Sequence, residues 1–174
     1  MKSLILIFFL ILSVNVFANV CEQASKDAKE LESIVSGVYH TSESDDFWTG
    51  FASSEPLKKI TPEEMKRVID LIPMDSRDDY YVANFRMENH KEAYKFMDYE
   101  IDSLVHYAMD DEEDDSPEKF HKLIDTIKEK YGENIRLIQY GDGDGDSHFV
   151  GDHMIIMIME NGCILGLKVF TVWT

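Results

Sequence analysis

The sequence predicts an α+β fold, and three observations predict it. Apolar residues recur at helical spacing through successive segments of the first three-quarters of the chain. From Asn134 onward the pattern changes to β-branched and aromatic runs separated by turn residues. Asn161-Gly162 stands between two such runs, a strong signal for a tight β-hairpin.

Each element follows from local pattern. From Cys21 to Ser36, Ala24, Ala28, Leu31, Ile34 and Val35 share one helical face, and Gly37 supplies the left-handed stop. The loop "VYHTSESDDFWTG", Val38 to Gly50, is dense in hydroxyls and carboxylates. Asp46 to Ser53 reads as a short strand. In "ITPEEMKRVIDLIP", Thr61 caps a helix, Pro62 takes its first position, and Pro73 ends it. Tyr80 to Phe85 reads as a strand. The next helix carries Ala93, Phe96, Met97, Ile101, Leu104 and Tyr107 on one stripe. The run from Asp110 to Asp115 repels itself and reads as a solvated linker. Ser116-Pro117-Glu118 starts a helix with Phe120, Leu123, Ile124 and Ile127 inward, stopping at Gly132. With no internal repeat and no Pro/Ser-rich linker, residues 19–174 are expected to form a single domain.

The segment before that domain, "MKSLILIFFLILSVNVFA", has Lys2, an apolar run from Leu4 to Leu12, and small or aliphatic residues up to Ala18. That is the pattern of a signal peptide over residues 1–18. A membrane span needs ~20 apolar residues, and Ser13 and Asn15 interrupt this run. Lipidation of Cys21 is disfavoured, because "ANVC" lacks the leucine usual before such a cysteine. The expectation is a secreted or periplasmic protein with no membrane association after cleavage. In that compartment the two cysteines, Cys21 and Cys163, are expected to form a disulfide rather than stay free.

Charge excludes one class of function. The chain carries 34 acidic and 17 basic residues, a formal net charge of −17. Such a surface repels phosphate backbones and argues against direct nucleic-acid binding. It favours a basic protein partner, whose approach a complementary field accelerates.

Motifs of catalysis and metal binding are weak. Asp142, Asp144 and Asp146 have the first spacings of a calcium loop, but Ser147 stands where that loop needs glycine and His153 where it needs glutamate. A flexible strand connection is the better reading, with weak calcium binding the alternative. His148 and His153 lie five apart and are expected on opposite faces of one strand. The histidines read as solvated or edge residues. No zinc, phosphate-loop or nucleophile-elbow pattern occurs. His40, Ser42, Glu43 and Ser44 are too close on one loop for triad geometry. No enzyme, cofactor or metal is expected. Met154, Met157 and Met159 read as core.

Three stretches carry a resemblance. They are "LESIVSGVYHTSESDDF", "DEEDDSPEKFHKLIDTIK" and "GCILGLKVFTVWT", the last stopping at Thr174. In composition and order they resemble the nuclease A inhibitor family, small acidic proteins that block a sugar-nonspecific, magnesium-dependent nuclease. The resemblance implies a three-layer α/β/α sandwich around a mainly antiparallel sheet. It implies that Glu43 and the chain-end carboxylate of Thr174 reach into the nuclease site near its metal ion. The implied partner-binding set is Ser42, Glu43, Ser44, Trp173 and Thr174. Departures are the stretch from Glu55 to Tyr107, longer than in the family, and Tyr107-Ala108 where the family has Asp-Trp. These departures favour an alternative: an extracytoplasmic structural or adaptor protein with the same fold and no nuclease inhibition.

Overall fold

The computed structural model describes residues 20–40, 42–43, 46–72, 84–108, 114–143 and 148–173. Alternation along one strand sets the architecture. Ile155 and Met157 point to one face of the sheet, and Met154, Ile156 and Ile158 to the other, all of them buried. A strand buried on both faces needs cover on both. Four helices described here provide it: α1 (Glu22–Ile34), α2 (Pro62–Ile69), α3 (His90–Ala108) and α4 (Ser116–Tyr131).

The strands are β1 (Thr49–Ala52), β2 (Asn84–Glu88), β3 (Ile135–Gly143), β4 (Phe149–Ile158) and β5 (Ile164–Trp173). They form one sheet in the order β1-β5-β4-β3-β2, antiparallel at every pairing. On one face, Leu31 of α1, Met97 of α3 and Phe120 and Leu123 of α4 join Ile155 and Leu165 in the larger core. On the other, Met65, Val68 and Ile69 of α2 pack against Ile138, Met154 and Ile156. The expected three-layer α+β sandwich is therefore the observed one.

Local chemistry explains the element ends. Thr61 accepts a hydrogen bond from the Glu64 amide at 3.4 Å and caps α2. Arg67 donates to Glu64 and also pairs with Glu55. The Arg67 bonds, with the Lys58 amide, hold the Glu64 carboxyl down at about 2. In the β4–β5 turn Gly162 sits at φ 83°, and the Asn161 side chain accepts from the Cys163 amide at 3.0 Å. A Cβ on Gly50 would stand 2.8 Å from the Ala28 carbonyl oxygen, so glycine is what lets α1 lie directly on β1.

Several boundaries and orientations differ from expectation. β1 is shorter than the strand read over 46–53, and Phe47 instead forms an isolated bridge with Tyr39. β2 begins at Asn84, while residues 80–83 lie outside the described set. β3 continues through Gly143, pairing Asp142 with Val150, because β4 offers it a ladder partner that far. Tyr107, placed inward by its helical stripe, is more than half exposed, because it lies on the last turn of α3. Met154 and Met157 are core residues on opposite faces, and Met159 is only partly buried.

Cys21 and Cys163 are disulfide-bonded, with Cα atoms 5.6 Å apart. The bond ties the start of α1 to the residue before β5. It fits an extracytoplasmic protein. Among the described residues no helix is long and apolar enough to cross a membrane. The proposed signal peptide over residues 1–18 lies outside them.

Candidate functional site

The expected partner loop grows from a small two-stranded stem. After α1, His40 donates its amide to the Asp46 carbonyl at 2.8 Å, and Tyr39 bridges Phe47. Strand alternation then sorts the side chains. Val38, His40 and Trp48 point into the core, each almost fully buried. Tyr39 and Phe47 point outward and meet edge to face, centroids 6.4 Å apart.

At the tip, the Ser42 amide donates to the His40 carbonyl at 3.0 Å. The Glu43 amide donates to the Val172 carbonyl at 3.1 Å, which fastens the loop to the far end of β5. Glu43 is exposed and Ser42 half-buried. Ser42, Glu43 and Trp173 thus come together. Ser44 and Thr174 lie outside the described residues.

A groove of about 650 Å³ opens between this stem and α3. On the helix, Tyr99, Ser103 and Tyr107 recur every four residues and make one wall. Tyr39, Phe47 and Glu43 line the stem side, and Trp173 closes the group. A smaller cleft of about 300 Å³ shares Tyr99 and Trp173 and is also lined by Glu100, His148 and His153. His148 and His153 therefore line one cleft, contrary to the opposite-face expectation, because His148 precedes β4 and is free of its alternation.

A polar cluster lies under the groove. His40 Nδ1 stands 2.6 Å from Glu100 Oε2, both side chains 1% exposed. This pair joins the loop stem to α3 across the core. Around His40 sit the rings of Trp48, Phe96, His153 and Trp173, with centroids 6.0–6.3 Å away. His153 Nε2 accepts from the Gln139 side-chain Nε2–H (3.1 Å), which leaves Nδ1–H to donate to Thr171 Oγ1 at 2.9 Å. Burial, with the nearby His40 adding, pushes the His153 imidazole down to about 3, so it stays neutral. Three buried polar atoms have no hydrogen-bond partner among the described residues: His40 Nε2, Trp48 Nε1 and Glu100 Oε1.

His40 and His153 are thus not the solvated or edge residues expected. Inward alternation on the stem and on a central strand buries both. Sequence reasoning had no signal for the His40–Glu100 pair, since its members are 60 residues apart. Residues 144–147 of the candidate calcium loop are outside the described set, and among the described residues no three His, Cys, Asp or Glu are arranged to hold a metal.

The arrangement brings a loop carboxylate together with rings from the loop stem, α3 and β5, above a buried pair that joins the stem to α3. Compared with known protein families and with characterised proteins, the chain matches none.

Proposed function

We propose that the protein is an extracytoplasmic binder of a basic protein, and that this partner is a nonspecific metal-dependent nuclease which it inhibits. Residues 1–18 act as its signal peptide, and the remainder works in the periplasm or outside the cell. The observation that carries the reading is the Glu43 amide bonded to the Val172 carbonyl at 3.1 Å. It makes an exposed loop carboxylate and the far end of β5 neighbours, as the three resembling stretches imply.

The physical sense is direct. A nuclease groove is cationic and holds a divalent ion that takes phosphate oxygens. Carboxylates from Glu43 and Thr174 would supply substitute oxygens without a phosphodiester to cleave. The acidic excess, −17 for the full chain with Lys2 included, steers the encounter. The role is binding rather than catalysis. His40, the residue nearest to a catalytic arrangement, is 1% exposed.

The test is titration of the purified protein into DNA digestion by several nonspecific magnesium-dependent nucleases. Stoichiometric loss of digestion by at least one is expected. Unchanged digestion by all of them at micromolar excess sinks the reading. Glu43→Ala, or extension of the chain beyond Thr174, is expected to weaken the complex. The adaptor alternative is favoured by Tyr107-Ala108, where the resembled family has Asp-Trp. It predicts an envelope component, and no nuclease, in a periplasmic pull-down.

A further inference from the structure

The groove between α3 and the loop stem has a chemistry that carboxylate display does not explain. We propose that it is a binding site for a small organic cation with a quaternary-ammonium head, held among Tyr99, Tyr107, Phe47 and Trp173 with the Glu43 carboxylate beside it.

Geometry carries the argument. Rings approach from three separate elements: Tyr99 and Tyr107 from α3, Tyr39 and Phe47 from the stem, Trp173 from β5. The four-residue spacing puts Ser103 between the two tyrosines, and its small side chain leaves the space between their rings. Phe47, Tyr99 and Tyr107 are each more than half exposed, although large aromatics are usually withdrawn from water. Their faces attract positive charge. The volume of about 650 Å³ is within the range of small-molecule sites.

Charge selects the ligand's sign. No lysine or arginine lines the groove among the described residues, Glu43 does, and the chain carries −17 overall. Hydrogen-bonding capacity selects the kind of cation. A guanidinium brings five N–H donors that need acceptors in its plane, whereas a quaternary ammonium brings none. The groove offers five rings, one carboxylate and the hydroxyls of Ser42, Ser103 and the tyrosines. These come from separate elements rather than one plane, so they do not match a planar five-donor fork, and the ring faces suit the second. This inference goes beyond the nuclease reading and does not depend on it, since its assay contains no nuclease.

The experiment is calorimetric titration of the whole protein with choline, with its neutral isostere 3,3-dimethyl-1-butanol, and with the blocked peptide acetyl-Arg-Arg-Arg-amide. Saturable choline binding is expected, at least tenfold tighter than the neutral isostere and tighter than the peptide. Tyr99→Ala and Tyr107→Ala should each weaken it roughly three- to tenfold. Tyr107→Phe should restore it, because the ring and not the hydroxyl makes the contact. Near-UV circular dichroism of each variant checks that the fold persists. Equal binding of choline and the isostere would overturn the proposal, as would no choline binding at all. Tighter binding of the peptide would make the occupant a basic protein segment and overturn it as well. So would alanine variants that fold and bind like the parent.

Discussion

The two ends of the larger helix-covered core are built on opposite principles. At one end the Cys21–Cys163 disulfide closes a core of Ala24, Ile135, Met157 and Leu165. Its polar groups are paired: Ser53 Oγ accepts from the Ile164 amide at 3.0 Å, and the Ser53 amide donates to the Ile164 carbonyl at 2.9 Å. At the other end the same strands carry Gln139, His153, Thr171 and Trp173, and the helix above them contributes Glu100. There His40 Nε2, Trp48 Nε1 and Glu100 Oε1 lack partners among the described residues, and large rings stand exposed. The difference teaches that one end pairs its buried polar groups, while the other leaves three of them without partners among the described residues, beneath an anchored loop and a groove.

Breaking the buried pair tests this contrast hardest. Glu100→Ala leaves His40 buried without its carboxylate and should cost about 3–5 kcal/mol in urea unfolding. The double variant His40→Leu/Glu100→Leu should be near neutral or more stable, because desolvation of both groups then disappears. It should nevertheless loosen the 42–43 loop, visible as faster amide exchange at Glu43. A double variant as unstable as Glu100→Ala would show that the buried pair stabilises this end and erase the contrast with the disulfide end.

Removing the other anchor comes next. Cys21→Ser/Cys163→Ser should lose about 2–5 kcal/mol, since the bond closes a loop with a sequence separation of 142 residues. The near-UV signature of the groove rings should remain in the folded state. Its loss would show that the two ends are coupled.

Acid separates the ends more gently. His153 has a folded-state value depressed from 6.5 to about 3. Its contribution is therefore complete above pH 6.5 and is lost as pH falls from there toward 3, where the unfolded state binds the extra proton. The slope should approach ~1.4 kcal/mol per pH unit within that window. His40 from the stem, Glu100 from α3 and His148 beside β4 share this surrounding and are the groups that can modulate it. Thermal melts of His153→Gln should lose that slope, and an unchanged slope would assign it elsewhere. Smallest of all, Tyr107→Ala should change stability by no more than ~0.5 kcal/mol, because the ring is mostly in water. A larger loss would make Tyr107 a core residue.

Much of the frame was legible in the chain. Phe120, Leu123, Ile124 and Ile127 are buried as the helical period implies, and Gly132 ends their helix at φ 54°. Thr61 caps where it should, and Asn161-Gly162 makes the turn. Ser42, Glu43 and Trp173 do fall on one surface. Tyr107 misled, because the helical period says which residues share a face but not where along the helix the cover ends. His40 and His153 misled because isolated polar residues carry no periodic signal of burial.

By itself the sequence determined the elements, their order, the acidic surface and which apolar positions could share a face, because capping, turn chemistry and periodicity act over a few residues. Tertiary structure alone decided that His40 meets Glu100, that the 42–43 loop is tied to Val172, and that rings from three elements line one groove. Those contacts join residues tens of positions apart, and their energy exists only once the sheet has brought them within a few ångströms of each other.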